Sequence, residues 1–214
     1  MRLILASASP RRRALLAAAG FEFEARAVEV DERARPGERP ADYVRRLASE
    51  KSAAVLHADQ ALGARDAIII GADTAVVIDG EVLGKPGTDG EAGQMLRRLS
   101  GRSHQVMTGV SVRGEAREAG CVETTTVWFA PLTATDIDWY VATSEGRDKA
   151  GAYAIQGRAA RFVQRIAGSY SNVVGLPIAA LCGLLGQFDP DLKAVASPGW
   201  ASYSDDVVFP RNSL

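Results

Sequence analysis

Residues Arg2 to Gly20 read RLILASASPRRRALLAAAG. The apolar run Arg2 to Ala6 is as long as a buried strand, and Ser7-Ala8-Ser9-Pro10 is a turn whose hydroxyls can cap a helix. Pro10 suits the first helical position, where its missing N–H has no partner to lose. Helical spacing continues to Ala19, and Gly20 ends it. A buried strand feeding a capped helix is one half of an α/β unit, and the chain goes on alternating in the same way. Phe21 to Val28 alternates as a half-buried strand does, and an acidic loop follows from Glu29 to Pro40. Ala41 to Ala58 then has helical spacing. Ala67 to Gly71 is a fully apolar strand, resumed after Asp73 as Ala75 to Ile78, and Asp79-Gly80 turns the chain back through Glu81 to Leu83. A helix over Glu91 to Leu99, strands over Gln105 to Val112 and Val122 to Phe129, and a helix over Thr133 to Thr143 come next. The remainder reads as a Gly-rich loop to Gly157, a strand over Phe162 to Ile166 and a closing helix over Val174 to Phe188. The pattern predicts an α/β fold, a mixed β-sheet flanked by helices on both faces with its site at strand ends. From Asp189 onward no period is visible.

The chain has 214 residues, 47% of them hydrophobic and 24% charged, which excludes disordered and fibrous classes. With 25 Lys and Arg against 26 Asp and Glu the net charge is -1, so no overall field draws it to nucleic acid or anionic lipid. Any polyanion must be held locally. The basic cluster after the first apolar run is the reverse of a secretory leader, and the later apolar run from Val173 to Leu185 is too short to cross a bilayer. These features predict a cytoplasmic setting without membrane or nucleic-acid partners. Cys121 and Cys182 lack CxxC or His spacing and read as reduced core residues.

Three places carry chemistry. The Ser7 to Pro10 turn opening a helix on Arg11-Arg12-Arg13 brings hydroxyls, helix N-terminal amides and guanidiniums to one end, an arrangement that suits phosphate. Cations in a first helical turn oppose the helix dipole, so the arginines need a reason to be there. Asp73, following Ile68-Ile69-Ile70-Gly71-Ala72, can hold a divalent cation or take a proton from water. Only four of the basic residues are lysines, namely Lys51, Lys85, Lys149 and Lys193, and a compact ammonium suits a triphosphate oxygen. Gly80 to Pro86 lacks the spacing and the hydroxyl of a P-loop. His57 and His104 have no GxSxG elbow beside them, which argues against acyl chemistry.

Taken together, Ser7 to Arg12, Glu32, Lys51, Gly71-Ala72-Asp73-Thr74, Lys85-Pro86, Asp148 to Gly157 and Val173 to Pro177 resemble the Maf family of nucleoside triphosphate pyrophosphatases. The match runs in order over about nine-tenths of the chain. The resemblance implies one two-lobed catalytic domain over residues 1–188, related to the inosine triphosphatase architecture, with residues 189–214 as a tail outside it. It implies hydrolysis of a nucleoside triphosphate to monophosphate and pyrophosphate with a divalent cation, Mg²⁺ or Mn²⁺, and a homodimer. Arg11, Thr74 and Gln156 match the branch acting on dTTP and UTP, and a Gln offers both donor and acceptor to a pyrimidine edge. The implied roles are Asp73 as proton acceptor, Glu32 and Asp73 on the metal, and Arg12, Lys51 and Lys85 on the triphosphate. Ser7, Ser9 and Lys149 supply further substrate contacts. Ser169 departs from the family pattern, which has Asp there in many members. Two rivals remain at this point: a nucleotidyltransferase, although its phosphate turn is normally Gly-rich, and a nucleotide-binding regulator of cell division that does not turn over.

Overall fold

One strand organises the molecule. In the computed structural model, which describes residues 2–62 and 66–195, β3 (Ala67–Ile78) is a single strand of 12 residues, not two short ones parted at Asp73. Its neighbour β5 (Ser103–Arg113) pairs with it antiparallel from Ile69 to Val77, so the backbone at Asp73 is held in the ladder and has no turn to make. On the opposite edge β1 (Arg2–Ala6) runs parallel to β3 only as far as Gly71. The short β4 (Glu81–Leu83) takes up that edge again only from Val76. Residues 72–75 therefore have no strand beside them on that edge, and the sheet is split there. Asp73 and Thr74 stand in the split, in mid-strand for β3 and just past the end of β1.

The sheet order is β2 (Glu24–Ala25), β1, β3, β5, β6 (Glu118–Phe129) and β7 (Val163–Ala167), with β4 alongside β3. β6 and β7 are antiparallel additions, while β1, β2 and β3 are mutually parallel, so the sheet is mixed, as the alternation of elements predicts. β2 is only Glu24–Ala25, shorter than the Phe21 to Val28 strand expected. β1 ends at Ala6 and offers partners only at Ile4 and Leu5, and a chain beyond its end has no ladder to join.

Side chains of β3 alternate between two faces. Ala67, Ile69, Ala75 and Val77 face α2 (Pro40–Ala61), which packs Val44, Val55 and Leu56 against them along the length of the strand. The other face is covered twice. Over Ile68 and Ile70 lie α1 (Pro10–Ala18) and α6 (Ile178–Phe188). Over Val76 and Ile78 lie α3 (Asp89–Leu99) and α4 (Ala134–Ala142). Two cores on one face, with Thr74 between them, make two lobes around a cleft.

The expected closing helix, Val174 to Phe188, begins only at Ile178, and a separate short helix precedes it. α5 (Tyr170–Val174) stops at Gly175, whose φ of 124° few residues but glycine adopt, and Pro177 prevents direct continuation into α6. The tail begins with a short helix, α7 (Pro190–Val195), which places Leu192 against the first core. Trp200 and Phe209 lie outside the described residues.

Candidate active site

The split in the sheet opens into a cleft of about 500 Å³, within the size range of small-molecule sites. Both lobes line it, and so do all eleven residues singled out in the sequence: Ser7, Ser9, Arg11, Arg12, Glu32, Lys51, Asp73, Thr74, Lys85, Lys149 and Gln156.

α2 supplies Lys51, with its side chain 10% exposed beside Asp73 at 11%. Its Nζ donates to Asp73 Oδ1 at 2.6 Å and to Glu32 Oε1 at 2.7 Å. Two glycines make this reach possible. A Cβ on Gly71 would lie 2.1 Å from the Ala48 carbonyl oxygen, and one on Gly109 would lie 2.2 Å from that of Val44, so α2 rests directly on sheet backbone. Burial by itself would raise the Glu32 carboxyl, but the hydrogen bond from Lys51 and the charges of Lys51, Lys85 and Arg12 outweigh it and hold the group below its usual range.

From the other lobe Ser9 caps α1 by accepting from the Arg12 amide at 3.5 Å, with Pro10 in the first turn. This register turns Arg12 inward and leaves Arg13 exposed. The Arg12 guanidinium donates through Nε to the Gly175 carbonyl at 2.7 Å, through one terminal nitrogen to Thr74 Oγ1 at 3.0 Å, and through the other to Ser7 Oγ at 3.4 Å. A guanidinium has five N–H groups, so each terminal nitrogen keeps one free for an oxyanion such as a phosphate. The Gly175 carbonyl is available because the chain breaks between α5 and α6.

The rest of the set is looser. Lys85 is exposed on the turn after β4, and its charge is felt at Glu32. Arg11 approaches Asp148 at 3.8 Å, and Asp148 pairs with Lys149, so the three charges link α1 to the 148–157 loop across the cleft. That loop is docked by the Gly151 amide donating to the Gly84 carbonyl at 3.0 Å. It carries Gln156, exposed on the cleft wall. Thr74 lines the cleft, and its hydroxyl is engaged with Arg12, Thr108 Oγ1 at 2.9 Å and the Gly175 carbonyl at 3.4 Å. Ser169 caps α5 through the Asn172 amide at 3.2 Å and is not among the residues lining the cleft. The departure from Asp there leaves the Asp73–Glu32 pair untouched.

Sequence reasoning missed the supports. Tyr43 donates to the Glu32 carbonyl at 3.0 Å, and Arg46 reaches the Arg33 carbonyl at 3.1 Å and the Asp31 carbonyl at 3.5 Å, which fixes the loop on both sides of Glu32. A Tyr and an Arg three residues apart on one helix, neighbours on its surface, were the available signal.

A mixed α/β sheet whose split edge gathers two carboxylates, a buried lysine and a half-buried arginine defines a protein that binds a polyanion in a cleft between lobes. Residues 2–188 match the family model described as Maf-like protein, and the chain belongs to the Maf family. It is 54% identical over 187 residues to the dTTP/UTP pyrophosphatase of Symbiobacterium thermophilum, covering 87% of this chain and 93% of that one. With the dTTP/UTP pyrophosphatase of Anaeromyxobacter dehalogenans it shares 52% over 188 residues, covering 86% and 92%. Among solved structures it is similar to the Ham1 protein of Staphylococcus aureus, at 17% identity and a TM-score of 0.49, covering 88% of this chain and all of that one.

Proposed function

We propose that the chain hydrolyses dTTP and UTP to the nucleoside monophosphate and pyrophosphate. The observation that carries this reading is the Asp73–Lys51–Glu32 cluster facing Arg12 across the split in the sheet. The names of relatives at about half identity supply the substrate class.

In this reading Arg12, Lys51 and Lys85 neutralise the triphosphate, and Ser7, Ser9 and Lys149 add contacts to its oxygens. Asp73 accepts the proton of the attacking water. Its Oδ1 is fixed by Lys51, while no hydrogen bond among the described residues reaches Oδ2, which is left to face water. Donors aimed at charge growing on the departing pyrophosphate act mainly in the transition state, where each contributes about 100- to 1000-fold. Arg11 and Gln156 face the base end of the nucleotide, with Gln156 reading the pyrimidine edge.

Among the described residues no group of three or more His, Cys, Asp or Glu side chains could hold a metal by itself. Two neighbouring carboxylates fit a Mg²⁺-like ion, which completes its shell with water and substrate phosphate. Glu32 and Asp73 would hold such a cation, and Mg²⁺ or Mn²⁺ would supply Lewis-acid neutralisation of phosphate oxygens. The homodimer, which rests on the family resemblance, and the cytoplasmic setting, which the charge and hydropathy pattern predicts, belong to the same proposal.

The test is pyrophosphate release from dTTP, UTP, CTP, dATP, GTP and 7-methyl-GTP, with Asp73→Asn alongside. Turnover of dTTP and UTP that drops at least about 100-fold in Asp73→Asn, with nucleotide still bound, is expected. Nucleotide binding without turnover by the wild type points to a regulator, and turnover of 7-methyl-GTP alone overturns the base assignment.

A further inference from the structure

Arg12 is held partly by a hydroxyl, and a hydroxyl has only one proton to give. Thr74 Oγ1 receives the Arg12 N–H at 3.0 Å and lies 2.9 Å from Thr108 Oγ1. Thr108, directly opposite Thr74 in the β3–β5 ladder and fully buried, lies 3.2 Å from the Asn172 carbonyl oxygen. A carbonyl can only accept, so Thr108 spends its proton on Asn172 and must accept from Thr74. Thr74 then spends its own proton on Thr108, and its lone pairs are left to face Arg12. The reverse direction would send the Thr74 proton to the Gly175 carbonyl at 3.4 Å, which already takes Arg12 Nε at 2.7 Å. The far end of this hydrogen-bond chain is tied to two strands. The fully buried Asn172 side-chain amide donates to the Val106 carbonyl and to Thr125 Oγ1, both at 3.0 Å, which anchors α5 to β5 and β6.

We propose that Thr108 is a positioning residue for the active site: its hydroxyl polarises Thr74 as an acceptor and so fixes the Arg12 guanidinium with two N–H groups turned to the substrate phosphates. Thr108 does not itself line the cleft. Without its hydroxyl the Thr74 proton has only the Gly175 carbonyl to turn to, where it competes with Arg12 Nε. Arg12 then loses definition at two of its three anchors.

The experiment rests on the pyrophosphatase reading for its first assay and not for its second. Wild type, Thr108→Val, Thr108→Ser, Arg12→Ala and the Thr108→Val/Arg12→Ala double variant are compared by pyrophosphate release from dTTP and by calorimetric binding of inorganic tripolyphosphate. Urea unfolding checks that each is folded. Thr108→Val keeps the volume and removes the hydroxyl, and kcat/KM is expected to fall about tenfold, as for a lost hydrogen bond to a charged group. Thr108→Ser is expected within about twofold of wild type, since the hydroxyl alone is needed. In the Arg12→Ala background the Val substitution should change kcat/KM less than about twofold, because interacting residues are non-additive. A merely structural role for Thr108 gives the same fold loss in both backgrounds, and that result overturns the proposal, as does wild-type activity in Thr108→Val. If the wild type releases no pyrophosphate, the functional reading fails alone, and tripolyphosphate affinity decides: about tenfold weaker binding by Thr108→Val supports the relay, and equal affinity, or no binding by the wild type, overturns it. Should Thr108→Val not fold, Thr108→Ala takes its place with the same expectations.

Discussion

Replacing Gly109 with Ala tests the contact on which Lys51 depends. The added Cβ would sit 2.2 Å from the Val44 carbonyl oxygen, 2.5 Å from its carbon and 2.8 Å from the Arg45 nitrogen, all of them backbone atoms of α2 that cannot swing aside. A carbon–oxygen contact is comfortable at about 3.3 Å, so α2 must rise by about 1 Å at this point. Lys51 lies two turns further along the same helix, with its stem buried and little freedom to follow. A comparable rise there stretches the 2.6 Å bond to Asp73 to about 3.6 Å, outside hydrogen-bond range. Overpacking of this kind costs about 1–3 kcal/mol, and the loosened ion pair adds to it. Urea unfolding of Gly109→Ala should therefore show stability lower by about 2–3 kcal/mol, with kcat/KM for dTTP reduced about 100-fold through the misplaced lysine. Gly71→Ala, whose Cβ would meet the Ala48 oxygen at 2.1 Å, should behave alike. Gly183→Ala on α6 meets nothing within 4 Å and should gain about 0.5–1 kcal/mol with unchanged activity. A Gly109→Ala variant as stable and active as wild type would refute the claim that α2 rests on the sheet backbone and delivers Lys51 by doing so.

Two further outcomes are expected. Gln156→Glu replaces a donor–acceptor pair with an acceptor-only carboxylate, so the kcat/KM ratio of dTTP to GTP should fall about tenfold; an unchanged ratio across nucleotides removes Gln156 from base selection. His104 is buried with Phe129 and Tyr153 edge-on to its ring and Nε2 2.8 Å from the Tyr153 hydroxyl, and burial pulls its pKa down to about 4. Because the unfolded imidazole titrates near about 6.5, the unfolded state binds the extra proton first. Stability is thus full above about pH 6.5 and declines by about 3 kcal/mol as the pH drops to 4. Unfolding free energies of wild type and His104→Phe compared across that window should converge toward low pH, and parallel curves would exclude His104 as the source of the slope.

Much of the molecule was legible in local signals. Pro10 after Ser9 fixes the start of α1 and hence which arginine turns inward. Asp79-Gly80 at positive φ makes the turn after β3, and Thr133 with Asp136 forms the capping box that opens α4. Such features depend on a few adjacent residues, so sequence reports them directly. The chemistry-bearing types were legible as well, since a carboxylate after an apolar strand or a lysine in an arginine-rich chain needs a reason. The supports of the site were not. Asp73 looks like the end of a strand, yet it lies in mid-strand because β5 pairs straight past it, and the site exists because β1 stops at Gly71 and β4 begins at Val76. The closing helix starts only at Ile178, beyond Gly175 and Pro177, and the Gly175 carbonyl left outside it binds an arginine far away in sequence. Thr108 and Asn172 sit in ordinary strand and helix surroundings until the ladder brings them to Thr74. The sequence by itself determined the elements, their order and the groups able to meet a phosphate, because propensity, capping and periodicity act over a few residues. Only the tertiary structure decided where the sheet splits and which groups converge there, because strand partners and helix-to-sheet distances are set by contacts between residues distant along the chain.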